Sequence, residues 1–358
     1  MVLIDIINNI NIKPKNNILI KFKIINTENY EKSFLGNIKM NDIIDKNVEI
    51  TDFLGEGSYG KVYKIKIDGK YYALKLNNNE IPEKLNERYL SLCKPEKLSS
   101  HIIKIYMCGN IYNYENNEYK YYCIMEYGGK TLKNSLDNIN EKIICSVLKQ
   151  LYNIVIQAVK YKLLITDLKL GNLTLNENNK IKLIDIYMYC GDYSTCNQCK
   201  IVKTYSAIEF EKEKRIYEKQ DYNMSGLFIP LAICIIDLLC KNKASYYFDK
   251  LSKKYDLNMN IKELLPLIQI ACFNYNNDSN ISVKEYSNLY KFKKEIEYKF
   301  EVVKNNKFYE DFLNLLEIKD DYKNKISKRR LAIILNNMFS LDPKQRSLNI
   351  FKNKLINW

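Results

Sequence analysis

The stretch "VEITDFLGEGSYGKVYKIKIDGKYYALKL", residues 48–76, constrains the fold more than any other part of the chain. Apolar and polar residues alternate through it, interrupted by Gly55, Gly57 and Gly60 and then by Asp68-Gly69. A period of two marks strands with one buried face, and Asp-Gly between two such runs marks a tight hairpin. The stretch predicts consecutive antiparallel strands with a glycine-bearing turn at the first reversal. A dinucleotide-binding fold needs its glycines between a strand and a helix, and these lie between two strands, which excludes that class. Glycines let backbone amides approach phosphate oxygens closely, with no side chain in the way. Lys75, in "YALK", stands within an otherwise apolar strand, where an unpaired ammonium is costly. It calls for a carboxylate partner and a phosphate.

A helical stretch, "EIPEKLNERYLSL", follows, and then two strands, "IIKIYMCGNIY" and "KYYCIMEY". "EYGGKTL" breaks both periods and reads as a linker. Beyond it, "KTLKNSLDN", "EKIICSVLKQLYNIVIQAV" and "QDYNMSGLFIPLAICIIDLLC" carry apolar residues at helical spacing. The chain therefore reads as α+β, with a small β-rich lobe at 47–127 and a larger helical lobe at 128–358. Residues 1–46, rich in Asn, Ile and Lys without a clear period, read as an extension.

Within the second lobe, "LLITDLKLGNLTL" is apolar at both ends and polar in the middle, with Asp167, Lys169 and Asn172 at its centre. As a bare string D-x-K-x-x-N is common in surface loops. Between two apolar strands, those groups must face something reactive.

The motifs together resemble a eukaryotic-type protein kinase domain, bilobal, over about residues 47–350. "GEGSYGKV" resembles the glycine-rich loop, "YALK" the lysine strand, "DLKLGN" the catalytic loop and "IKLIDI" the metal-binding strand end. "TYSAIE", "DYNMSG" and "LDPKQRS" resemble three signatures of the helical lobe. The resemblance implies serine/threonine-type transfer of the ATP γ-phosphoryl group to protein substrates, with Mg2+. It makes Asp167 the base, Lys169 the cation at the transferred group, and Asn172 and Asp185 the metal ligands. Lys75 would hold the α- and β-phosphates and pair with Glu87, with Glu83 one turn earlier as the alternative. Gly55, Glu56, Gly57, Gly60, Val62 and Ala73 would line the nucleotide. Met125 would be the gatekeeper in "MEYGG", with the backbones of Glu126 and Gly128 bonding the base. Glu209 and Arg346 would form a buried ion pair, and Asp221 would cap the catalytic-loop backbone.

Several positions depart from the family. Asp185-Ile186-Tyr187 keeps the metal ligand of D-F-G but loses its glycine, and Ile165-Thr166 replaces the usual H-R. Ile208 stands for a proline, and Val202 stands where serine/threonine kinases often place a threonine. Without the arginine, there is no obvious local partner for an activation-loop phosphate, so activity is not expected to depend on that switch. Loss of both patterns also motivates a rival reading, a pseudokinase acting as a scaffold.

Of 358 residues, 46% are hydrophobic and 27% charged, with a formal net charge of +14. The basic excess is spread along the chain rather than gathered into a block, which argues against nucleic acid as the main partner. Ten cysteines with no secretory leader point to a reducing, intracellular setting, the cytoplasm by expectation. The run "GLFIPLAICIIDLLC" is too short for a membrane span and holds Asp237, so it reads as a buried helix. Cys190, Cys196 and Cys199 hint at a metal, but a fourth ligand is not evident nearby. The abundance of Lys, Asn, Ile and Tyr fits an AT-rich genome, and the composition resembles that of kinases from large DNA viruses, those of insects included.

Overall fold

The structure, a computed structural model, describes residues 18–20, 48–57, 60–77, 99–113, 118–160, 163–165, 167–184, 188–190, 227–261, 264, 296–323, 326–340 and 346–356. The chain divides into two compact units, Met1–Lys130 and Thr131–Trp358. The first is a small antiparallel sheet and the second is mainly helical.

The sheet holds β1 (Ile18–Ile20), β2 (Val48–Gly57), β3 (Gly60–Ile67), β4 (Lys70–Asn77), β5 (Ile105–Asn113) and β6 (Glu118–Glu126). Their order is β1-β2-β3-β4-β6-β5, and every neighbouring pair is antiparallel. The Asp68-Gly69 turn takes positive φ at both residues, 49° and 78°. That is the twist a two-residue hairpin needs, and it sets the β3–β4 register. Tyr63, Ile65 and Ile67 of β3 alternate with half-buried neighbours and face Leu74, Leu76 and Ile124, all nearly inaccessible. These residues form the core on one face of the sheet. The extension contributes β1, which pairs with Val48–Ile50 at the sheet edge. A three-residue strand is too short to display a period, so the sequence carries no sign of it.

The helical unit opens with α1 (Leu132–Ser135), capped by the Thr131 hydroxyl, which accepts from the Asn134 N–H at 3.3 Å. In α2 (Glu141–Lys160), Ile144, Val147, Leu148, Leu151, Ile154, Val155 and Ala158 form one buried stripe at helical spacing. By length and composition α2 is the one helix among the described residues able to cross a membrane. Its buried stripe, set against exposed Lys142, Lys149 and Lys160, is that of a core helix. Strand β7 (Leu163–Ile165) pairs with β10 (Met188–Cys190), and β8 (Leu173–Leu175) forms a hairpin with β9 (Ile181–Leu183).

Helix α3 (Phe228–Leu239) is buried at every residue, as a run that is apolar but for one position implies. Asp237 is the exception in chemistry: its Oδ1 accepts the Ala244 N–H at 2.9 Å, at the start of α4 (Ala244–Lys254). Burial nevertheless raises its pKa to about 6, a shift that the Ala244 bond and Lys133 only partly oppose. Helices α5 (Ile296–Lys304), α6 (Asn306–Leu315), α7 (Asp320–Lys323), α8 (Lys328–Met338) and α9 (Leu348–Phe351) follow among the described residues.

Candidate active site

Strand register determines what the sheet presents on its second face. Directly paired residues share a face, and neighbours along a strand alternate. Gly55 pairs with Val62, Val62 with Lys75, and Lys75 with Cys123. Ala73 pairs with Met125, and Gly57 with Gly60. Six of the residues expected to meet the nucleotide through a side chain or a glycine backbone, together with Lys75, therefore lie on one face: Gly55, Gly57, Gly60, Val62, Ala73 and Met125. A Cβ built on Gly55 meets nothing within 4 Å, so the space above the first glycine is open. Gly60, at φ 152°, and Gly55, at φ 156°, adopt backbone that L residues with side chains rarely do. Ala73 and Met125 are buried and Lys75 is half-buried. Glu56 falls on the opposite face, opposite Lys61, so what it can offer a phosphate from this position is backbone.

The end of β6 carries the groups expected to bond a base. The Glu126 N–H donates to the Lys104 carbonyl at 2.8 Å. The Glu126 N–H is thus committed within the first unit. Its carboxylate accepts the Lys104 N–H at 3.3 Å, a tie the sequence reading missed. A backbone donor far away in sequence leaves no signal in a side-chain pattern. Gly128 is buried, and Gly129 follows at φ 93°.

In the helical unit, the polar centre is held by what surrounds it in sequence. Ile165, Leu168, Leu170 and Leu173 are almost inaccessible and alternate with the polar residues. Burying each such side chain contributes roughly 2 kcal/mol, so four anchors fix a segment of nine positions. The polar groups then meet on one oxygen. Asp167 Oδ2 accepts from Lys169 Nζ and from Asn172 Nδ2, each at 2.7 Å. Asn172 Nδ2 also donates to the Asp167 carbonyl at 3.0 Å. Asn172 is buried, whereas the Lys169 side chain keeps 37% of its exposure. A buried amide satisfied in this way holds the loop in one shape, and the lysine head remains within reach of a ligand.

Two further elements seat this loop. The Ile184 N–H donates to the Asn172 carbonyl at 2.9 Å, tying the end of β9 to the turn. Gln150 of α2 donates to the Asn179 carbonyl at 2.8 Å and accepts the Ile181 N–H at 2.9 Å, which clamps the β8–β9 hairpin. Helix α3 packs against the Leu170–Asn172 turn. There the Cys234 thiol is pushed up by burial first, then by Asp237 and Asp167. Gln150 and Cys234 were not legible in sequence, since both look like ordinary helix residues.

The expected ligand Asp185 and the expected lysine partners Glu87 and Glu83 lie outside the described residues, as do Glu209, Asp221, Cys196 and Cys199. Arg346 is buried, and its Nε donates to the Ser340 carbonyl at 2.7 Å.

A glycine hairpin, a lysine strand and an Asp–Lys–Asn loop on an α+β frame are the parts of which a protein kinase domain is built. The comparison with known families agrees: the protein kinase domain matches residues 48–350, and the chain belongs to that family. Over 150 residues it is 33% identical to the MAP kinase kinase MKK1/SSP32 of Saccharomyces cerevisiae. That alignment covers 38% of this chain and 29% of the yeast protein, so the chain matches under a third of that relative.

Proposed function

We propose that the chain is an active kinase that moves the γ-phosphoryl group of ATP onto serine and threonine hydroxyls of protein substrates. The observation that carries this reading is the convergence of Lys169 Nζ and Asn172 Nδ2 on Asp167 Oδ2. Phosphoryl transfer depends on positioning and on cationic groups more than on covalent chemistry. Asp167, oriented by two donors, accepts the hydroxyl proton as that oxygen bonds to phosphorus and the bond to the β-γ bridging oxygen breaks. Lys169 offsets charge on the transferred group. Lys75 holds the α- and β-phosphates, and Glu87 pairs with it. The glycine hairpin supplies backbone amides, and Val62, Ala73 and Met125 supply the apolar wall.

Asn172 also fits a magnesium ligand, because its Nδ2 is committed to Asp167 and its remaining side-chain donor atom is Oδ1. Asp185 is the second proposed ligand. Held by these residues, a magnesium ion would offset charge on the phosphate groups. Serine/threonine preference rests on the lysine at position 169. The AT-rich composition supports assignment to a large DNA virus, with action in the host cytoplasm or the virion, and the dispersed basic charge argues against nucleic acid as the main partner.

The test is transfer of label from radiolabelled ATP to a generic acceptor protein. Wild type should label serine and threonine, and Asp167→Ala should not. Equal labelling by Asp167→Ala, or none by wild type, removes the enzyme reading. The second reading, a pseudokinase scaffold, is favoured by Ile186-Tyr187 and Ile165-Thr166; it requires nucleotide binding without transfer.

A further inference from the structure

Lys64 has no part in the roles above, yet it lies on the nucleotide face, paired across the sheet with Ala73. Its Nζ sits 4.0 Å from the ring centre of Tyr71 and 4.6 Å from that of Tyr127. The two rings stand 6.5 Å apart and are tilted by 57°, so one ammonium serves both. Lys66 Nζ reaches the same Tyr71 ring at 5.9 Å. Tyr127 stands between Glu126 and Gly128, the two residues whose backbones are assigned to the base.

The segment 126–129 is therefore held from two directions. At its start, the Glu126 N–H is bonded to Lys104. Further on, Gly128 and Gly129 have no side chain with which to anchor themselves, and glycine backbone is the most permissive there is. The Tyr127 ring, fastened through Lys64 to the sheet, is the handle that steadies them. A cation over an aromatic face supplies that fastening without a directional hydrogen bond.

We propose that Lys64, clasped between Tyr71 and Tyr127, is a positioning residue: it sets the backbone of 126–129 for the nucleotide base and thereby tunes ATP affinity. The inference rests on the ATP-binding reading above. Residues that touch ATP set the ceiling of affinity, and the clasp sets how much of it is realised, because an unfastened segment must be ordered on binding.

The test compares wild type, Lys64→Met and Lys64→Arg in titrations with a fluorescent ATP analogue, in steady-state transfer and in amide hydrogen exchange without nucleotide. Methionine keeps a similar stem and removes the charge; arginine restores a cation that stacks on aromatic rings. Lys64→Met should weaken the analogue about two- to fivefold, the range expected for a partly exposed cation–ring contact. KM for ATP should rise by the same factor with kcat unchanged, and exchange at 127–129 should quicken. Lys64→Arg should return all three to the wild-type values. Unchanged affinity in Lys64→Met, with wild type binding normally, overturns the inference and leaves the functional reading intact. Weakened affinity with unchanged exchange at 127–129 and a lower melting temperature also overturns it, because that is general loosening. Failure of wild type to bind the analogue at all removes both.

Discussion

The Asp–Lys–Asn loop and the glycine–lysine face of the sheet are built on opposite plans. The loop gathers its polar groups in six positions, 167–172, with apolar anchors interleaved among them and three side-chain hydrogen bonds closing it on itself. The face is dispersed: Gly55, Val62, Ala73, Lys75 and Met125 come from four strands and meet only because the strands pair in one register. A contiguous site tolerates changes elsewhere and fails at single atoms. A dispersed site tolerates many single atoms and fails when register, packing or the attached segment shifts.

The largest expected effect tests the concentrated plan. Asp167→Asn should lower transfer by about 10²- to 10⁴-fold, the usual worth of a positioned base, with little change in melting temperature. If activity holds while Ala73→Leu abolishes it, the loop is the tolerant site and the face the sensitive one.

Next in size is a pH effect beneath the loop. Burial raises Asp237 to about 6 against an ordinary 3.8, so the folded chain holds its proton more tightly than the unfolded chain does. The sign follows: the stabilising contribution is complete below about pH 4 and is lost as pH rises through 6. Asp237→Asn, which still offers an oxygen to the Ala244 N–H, should match wild type near pH 4. By pH 7 it should be more stable by on the order of 2–3 kcal/mol in chemical denaturation. A difference independent of pH would show that the carboxyl is not strained by burial.

Ala73→Leu then probes the face. It adds volume at a buried position opposite Met125 and should cost about 1–3 kcal/mol of stability along with weaker nucleotide binding. Wild-type affinity in this variant would mean that the face is not the nucleotide wall. The smallest effect is expected at the turn that sets the register. Gly69→Ala places a side chain at φ 78°, where nothing crowds it, so only backbone strain of about 1 kcal/mol should appear in denaturation.

How legible each part was follows from its plan. The Asp68-Gly69 hairpin, the buried helix at Phe228–Leu239 and the Asp–Lys–Asn loop could all be read directly, since each is local and carries its own periodic or turn signal. Strand β1 could not, being three residues within an extension that shows no clear period. The Glu126–Lys104 tie, the Gln150 clamp and the Lys64 clasp were equally silent. Each joins residues whose partner is set by folding rather than by spacing.

The amino-acid order by itself determined the α+β class, the strand directions around Asp68-Gly69 and the clustering at 167–172, because neighbours along the chain cannot avoid one another. Only the tertiary structure decided that Gly55, Val62, Ala73, Lys75 and Met125 share a face, that Lys64 stands between two tyrosine rings, and that the buried Asp237 carboxylate meets the start of α4. Side-chain alternation has a period of two, so sliding any one strand by a single residue would have turned its set to the other side. Cross-strand pairing and packing chose between those alternatives.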